Sequence, residues 1–270
     1  MTPDICALVL AAGLGTRLRP LTTLVPKALV PVGNVPLLDR ALDRLAALGF
    51  TGSGRVAVNA HHHLEQMLRH VDGRAHVSIE DDPLGTAGAV GKLRDWIGGR
   101  GVLVLNADAY CTDPMDGLLA GWDGKTVRMA GHVGDDGHPS FHGLAFAGAS
   151  LLPAEEAERL DAVLSHLVLT TWRPAEREGR LEVVPIDGVY IDTGTPADYL
   201  QANMHAASGR NLIADGAMIT GSASQSVLGA GAAVHGRVTR SVLWPGARVA
   251  RDEVLTDSVR VGSDMTVTRT

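Results

Sequence analysis

The sequence predicts an α/β protein with a Rossmann-like, mostly parallel sheet, followed by a short parallel β-helix. Three observations carry this reading. Over roughly the first 110 residues, short apolar runs alternate with longer stretches of helical periodicity, the pattern of parallel strands joined by helical crossovers. A glycine-rich turn directly follows the first apolar run, where a strand would hand the chain to a ligand site. Beyond Asn211, helix formers give way to Gly, Ser, Ala and Val in a repeating order.

Residues 5–10, 55–59, 76–80 and 102–106 read as strands. Between them, residues 37–48 put Leu38, Ala41, Leu42, Leu45 and Leu48 on one helical stripe, and residues 63–71 and 87–97 carry weaker helical patterns. Open sheets of this kind bind ligands beyond the carboxyl ends of their strands. Chemistry is therefore expected from Ala11, from Asp81 and from Ala107 onward. After Asp113 the pattern loosens. Residues 126–132 and 142–147 read as two further strands and 153–167 as a helix; 181–185 and 189–192 read as a strand pair, before a helix over 196–207.

The last segment repeats. Val227, Leu228, Gly231, Ala232 and Val234 recur fifteen positions later as Val242, Leu243, Gly246, Ala247 and Val249, and Val249, Leu255, Val261 and Val267 continue at a six-residue step. Such a period fits no helical face, but it suits a solenoid that stacks one apolar residue inward per side. The reading is a domain over residues 1–210 and a hexapeptide-repeat domain over 211–270, with room for about three coils. An open solenoid end also leaves strand edges to cover, so a homo-oligomer formed through the tail is expected.

The 270 residues contain 24 Lys and Arg against 30 Asp and Glu, a formal net charge of −6. Without a broad basic surface, nucleic acid is not an expected partner. Cys6 and Cys111 are the only cysteines, too few for a disulfide framework and without a CxxC spacing for zinc. No apolar run reaches the length of a membrane span, and the first lacks the basic start of a signal peptide. The expectation is a cytoplasmic protein with no membrane partner.

The most informative segment is the loop after the first strand: Leu10, Ala11, Ala12, Gly13, Leu14, Gly15, Thr16, Arg17, Leu18, Arg19, Pro20, Leu21, Thr22, then Pro26, Lys27, Ala28, Leu29, Val30 and Pro31. Glycines here let backbone N–H groups approach a phosphate. Arg17 supplies a planar oxyanion fork and Lys27 a compact charge. The dinucleotide fingerprint fails because Leu18 stands at its third glycine, and no Gly-Lys-Ser/Thr completes a Walker A loop.

The run GxGTRLxPLTxxxPKxLxPV resembles the signature of the sugar-1-phosphate nucleotidylyltransferases, or nucleoside-diphosphate-sugar pyrophosphorylases. Further segments agree in order: Pro83-Leu84-Gly85-Thr86-Ala87-Gly88, Asn106-Ala107-Asp108, and Tyr190-Ile191-Asp192-Thr193-Gly194-Thr195. The hexad tail also resembles that of mannose-1-phosphate guanylyltransferases. The resemblance implies a GT-A-like nucleotidyltransferase fold, a left-handed β-helix, and condensation of an NTP with a sugar 1-phosphate, GTP with mannose 1-phosphate being the first pairing to consider. It implies catalytic roles for Arg17 and Lys27 and nucleotide contacts from Leu10, Ala11, Ala12, Gly13, Gly15, Thr16, Pro83, Gly85, Thr86 and Ala87. It further implies Mg²⁺ on Asp108 and Asp192, and acceptor contacts from Asn106, His142 and Gly143.

One departure concerns the acceptor. The family's Glu-Lys-Pro, whose lysine holds the acceptor phosphate, has no counterpart in residues 131–143. His138 and His142 are the candidates to replace it, and this region also resembles compact muramate-type uridylyltransferases. Two alternatives follow: a cytidylyl- or uridylyltransferase acting on another phosphorylated acceptor, and a non-catalytic subunit that binds nucleotide sugar. Asn59 and Gln66 sit where base or ribose contacts are expected. His61-His62-His63 lacks the i, i+4 spacing of helical metal ligands.

Overall fold

The structure is a computed structural model that describes residues 4–134 and 139–268. The chain divides into two compact units: Met1–Leu14 with Leu38–Tyr190, and Gly15–Leu37 with Ile191–Thr270.

The first unit is mixed α/β around a parallel-rich sheet. Its main strands are β1 (Ile5–Leu10), β2 (Val56–Ala60), β3 (His76–Ile79), β4 (Gly101–Asn106), β5 (Val127–His132), β6 (Leu144–Leu152) and β7 (Leu181–Pro185), in the spatial order β7-β5-β6-β4-β1-β2-β3. β1 runs parallel to β2 and β4, β2 to β3, and β7 to β5; β6 is antiparallel to both its neighbours. Cys6, Ala7, Leu8 and Val9 of β1 have no exposed surface, as expected of a central strand covered on both faces. Helices α1 (Leu37–Ala47) and α2 (Leu64–Val71) follow β1 and β2 in the chain; α3 (Gly85–Lys92) and α4 (Arg94–Ile97) follow β3.

Four expectations about this unit are corrected. The strand expected at 142–147 is the longer β6, which bulges at Gly148, where φ is +74° and the ring of Tyr190 lies against the missing Cβ. The helix expected at 87–97 is interrupted at Leu93. The helix expected at 153–167 stops after α5 (Ala154–Glu158), because the following backbone is recruited as a strap over α3. Gly85, Gly88 and Gly91 form one face of that helix, and a Cβ on them would come within 2.4, 2.2 and 2.4 Å of the Ser165, Val163 and Asp161 carbonyl oxygens. Finally, residues 181–185 and 189–192 do not pair with each other: β7 joins β5, and the Val189 carbonyl accepts from Thr112 N–H.

In the second unit the helix α6 (Pro196–Ala207) spans the residues expected. The fully buried Tyr199 donates its hydroxyl to the Pro31 carbonyl at 2.6 Å and accepts from Trp244 Nε1 at 3.0 Å. Asn203 Oδ1 accepts from Gly33 N–H, and Asn34 Nδ2 donates to the Leu228 carbonyl. Segment 15–37, this helix and the repeat region thus pack as one body.

The repeat region forms three ladders of short parallel strands. Leu212, Val227 and Val242 pair in succession, as do Met218, Ala233 and Arg248. Leu228, Val234, Val238, Leu243, Val249 and Leu255 fill the interior. The six-residue step expected through Val261 and Val267 is broken: Met265–Thr268 turns back antiparallel on Ser258–Val261, putting Val267 opposite Val259. This reversal pairs an edge that another strand would otherwise occupy.

Candidate functional site

Within the first unit, the carboxyl ends of β1, β2 and β4 lie side by side. Leu10 is level with Asn59 on one neighbour and Asn106 on the other. These three residues, with Ala12, Gly13, Glu80, Pro83, Gly85, Thr86, Asp108 and His166, line a pocket of about 180 Å³. Asp108 follows β4 and precedes a short strand, Ala109–Cys111, so it caps no helix.

The pocket wall carries a buried polar chain. Ala11 N–H donates to Asn59 Oδ1 at 2.6 Å, Asn59 Nδ2 donates to Glu80 Oε1 at 2.8 Å, and Leu84 N–H donates to Glu80 Oε2 at 2.9 Å. Glu80 is only 2% exposed. A carboxylate offers about four lone-pair positions, so two remain after these bonds. The loop glycines differ in their reasons. A Cβ at Gly13 would meet nothing within 4 Å, whereas Gly15 has φ +60° and a Cβ there would approach Thr22 Cγ2 to 2.8 Å.

The second unit carries a separate charged cluster. Lys27, only 6% exposed, reaches Asp192 Oδ1 at 3.4 Å, and Arg17 Nη2 reaches Asp192 Oδ2 at 3.3 Å. One carboxylate therefore serves two cations at long range. Thr22 Oγ1 donates to the Gly15 carbonyl at 2.8 Å, tying the loop that carries Arg17 to the turn leading to Lys27. Thr16–Leu18 and Lys27–Leu29 are single 3₁₀ turns.

The structure thus brings Leu10, Ala12, Gly13, Pro83, Gly85, Thr86, Asn106 and Asp108 into one pocket, and Arg17, Lys27 and Asp192 into one cluster. Gly15 and Thr16 lie in the second unit. Ala11 contributes its N–H to the polar chain, and Ala87 is buried in the core. His142 and Gly143, both with positive φ, form the tight turn between Ser140–Phe141 and β6; neither lines the pocket. His138 lies outside the described residues. The sequence reading missed Glu80, which ends the segment read as a strand, one position before Asp81. It also missed His166, whose strap was expected to be helical. Among the described residues no group of three or more His, Cys, Asp or Glu is placed to hold a metal ion, and no helix is long and apolar enough to cross a membrane.

Residues 6–150, more than half of the chain, match the family described as Nucleotidyl transferase, and the chain belongs to that family. It is 30% identical over 229 residues to the mannose-1-phosphate guanyltransferase of Emericella nidulans, covering 72% of this chain and 62% of that protein. It is 31% identical over 226 residues to the enzyme of the same name from Schizosaccharomyces pombe, with the same coverage. The chain therefore spans about 62% of the length of these curated relatives. A Bacillus anthracis structure provisionally named a glucose-1-phosphate thymidylyltransferase, solved with sucrose, superposes with a TM-score of 0.66 at 18% identity, covering 75% of this chain and 95% of that one. HddC from Yersinia pseudotuberculosis, complexed with GMP-PN, gives 0.60 at 21% identity, with 75% and 99% covered. At these identities the two structures speak to the fold, a nucleotidyltransferase fold.

Proposed function

We propose that the chain condenses an NTP with a sugar 1-phosphate to give an NDP-sugar and pyrophosphate, with GTP and mannose 1-phosphate as the preferred pair. The single observation that carries the nucleotide choice is Glu80, a buried carboxylate on the pocket wall whose protein partners leave two lone pairs. Guanine presents adjacent N1–H and N2–H donors that a carboxylate accepts together, whereas uracil and thymine present one imide N–H. A site built around hydrogen bonds rejects a partner that cannot make them.

In the proposed reaction an oxygen of the sugar phosphate attacks the α-phosphorus, a new P–O bond forms, and the bond to the β-phosphate oxygen breaks as pyrophosphate leaves. The attacking phosphate monoester already bears most of its two negative charges near neutral pH, so no general base is needed. The protein's part is positioning and charge stabilisation. Gly13 admits the triphosphate backbone, and Arg17 and Lys27 stabilise the charge that grows on the transferring and leaving phosphates.

Asp108 of the first unit and Asp192 of the second are the carboxylates we assign to Mg²⁺. They fit a hard cation that takes one or two carboxylates and completes its shell with water and phosphate oxygens. When bound, Mg²⁺ would supply further neutralisation of the phosphates. We further propose that residues 211–270 are a left-handed hexapeptide-repeat β-helix, supported by the three ladders of short parallel strands, which take one strand each from successive repeats. A homo-oligomer formed through its first coil is proposed from the exposed Ile213 and Met218; a monomer mass for the full chain in light scattering would overturn it. A cytoplasmic setting, with no nucleic-acid or membrane partner, completes the reading.

The test is pyrophosphate release across a grid of NTPs and sugar 1-phosphates. GTP with mannose 1-phosphate should exceed every UTP, dTTP and CTP combination, and Glu80→Gln should narrow that preference by roughly tenfold or more. A specific observation keeps a second acceptor class open. The stretch between β5 and β6 carries no lysine, and its described part ends in a tight hairpin, so amino-sugar phosphates belong on the grid. Higher turnover with one of them would reassign the acceptor and leave the nucleotide reading standing.

A further inference from the structure

We propose that Gly194 is a positioning residue: the absence of a side chain there lets the Arg17 guanidinium reach Asp192. Gly194 is buried, and a Cβ at this position would lie 2.7 Å from Arg17 Nη2, 3.0 Å from Arg17 Cζ and 3.0 Å from Asp192 Oδ2. The guanidinium therefore occupies the space a methyl group would need. Its backbone φ lies outside the left-handed region, so the glycine is required by this approach and not by chain conformation.

The flanking residues explain why the backbone cannot move aside. Thr193 is fully buried, and Thr195 is the N-cap of α6, its Oγ1 accepting from Asp198 N–H and donating to Asp198 Oδ2 at 2.6 Å. Pro196 fixes the next dihedral at the start of the helix. In Asp192-Thr193-Gly194-Thr195-Pro196, one residue presents a carboxylate, the second and fourth anchor the chain, and the third leaves room for the arginine. Arg17 itself is 67% exposed in its side chain and depends on this short segment for its direction. A methyl group at 194 would thus displace the far end of a flexible side chain.

This inference rests on the reading that Arg17 acts on the phosphates. Gly194→Ala, Arg17→Ala and the double variant are compared for kcat, KM and thermal midpoint with GTP, Mg²⁺ and the best acceptor of the grid. Gly194→Ala should lower kcat by roughly ten- to hundredfold, because misplacing a positioned group by about 1 Å has effects of that size, with KM changed far less. In the Arg17→Ala background the same substitution should do nothing further. Full activity in Gly194→Ala, or an equal loss in both backgrounds, overturns the proposal. If Arg17→Ala itself is fully active, the catalytic reading of Arg17 fails, and the proposal fails with it for that separate reason. Should Gly194→Ala melt early, the double variant decides: recovery of the midpoint locates the clash on the guanidinium, and no recovery locates it on the backbone and overturns the proposal.

Discussion

Gly13 and Gly15 stand two positions apart in the same loop and answer to different constraints. Among the described residues nothing lies within 4 Å of a Cβ at Gly13, while Gly15 combines a left-handed backbone with contact to Thr22 and Lys27. Gly13→Ala should leave the thermal midpoint nearly unchanged and raise KM for the NTP about tenfold. Gly15→Ala should cost about 1–3 kcal/mol in a denaturant titration. Equal stability losses would remove the argument that a ligand, and not the fold, requires Gly13. Cys6 offers a pH test of the core. Burial pushes its thiol up to about 11, against 9.0 for an ordinary thiol, so the folded chain keeps the proton while the unfolded chain loses it. Stability should therefore fall as pH rises from about 9 to about 11, and Cys6 should resist alkylation in the folded protein at pH 8. The Cys6→Ala variant should lose that alkaline slope.

At the scale of elements, the strap over α3 and the corners of the repeat region carry most of what the sequence concealed. Glycines at 85, 88 and 91 repeat at the spacing of one helix face, yet a strap across them became visible only in three dimensions. Residues 161–167 lack a local signal for an extended path, and their shape comes from bonds such as Leu167 N–H to Thr86 Oγ1. Gly88→Ala would set a methyl 2.2 Å from the Val163 carbonyl oxygen. It should lower stability by about 1–3 kcal/mol and weaken nucleotide binding through His166. In the ladders, Ser226, Ser241 and Ser258 stack at one corner: Ser241 N–H donates to Ser226 Oγ, and Ser258 N–H to Ser241 Oγ. Each serine follows a residue with positive φ, namely Gln225, Arg240 and Asp257. Ser241→Ala leaves a buried N–H unpaired and should cost about 1–3 kcal/mol by denaturant titration; a neutral result would mean that this corner is hydrated. The central strands, by contrast, could be read in sequence because each buries an apolar run of ordinary length. The long β6 could be read only over its first half, since Gly148 and Ser150 interrupt its apolar run at the bulge.

For the whole molecule, the division into units cuts across the order of the chain. The Arg17 and Lys27 loop belongs with α6 and the ladders, through Tyr199, Asn203 and Asn34. Removing the tail would take Trp244 from the buried Tyr199 hydroxyl, so single changes at exposed tail residues probe assembly better than truncation does. Ile213→Lys should reduce the mass seen in light scattering without lowering the melting temperature. The net charge of −6 is compatible with a triphosphate ligand, because the cations assigned to it are few and local. Pyrophosphate release across the NTP and sugar 1-phosphate grid is the most direct test of nucleotidyl transfer with guanine chosen by Glu80. Turnover should be highest with GTP and mannose 1-phosphate, and lost by orders of magnitude in Arg17→Ala. Absence of pyrophosphate across the whole grid, from folded protein supplied with Mg²⁺, would contradict it.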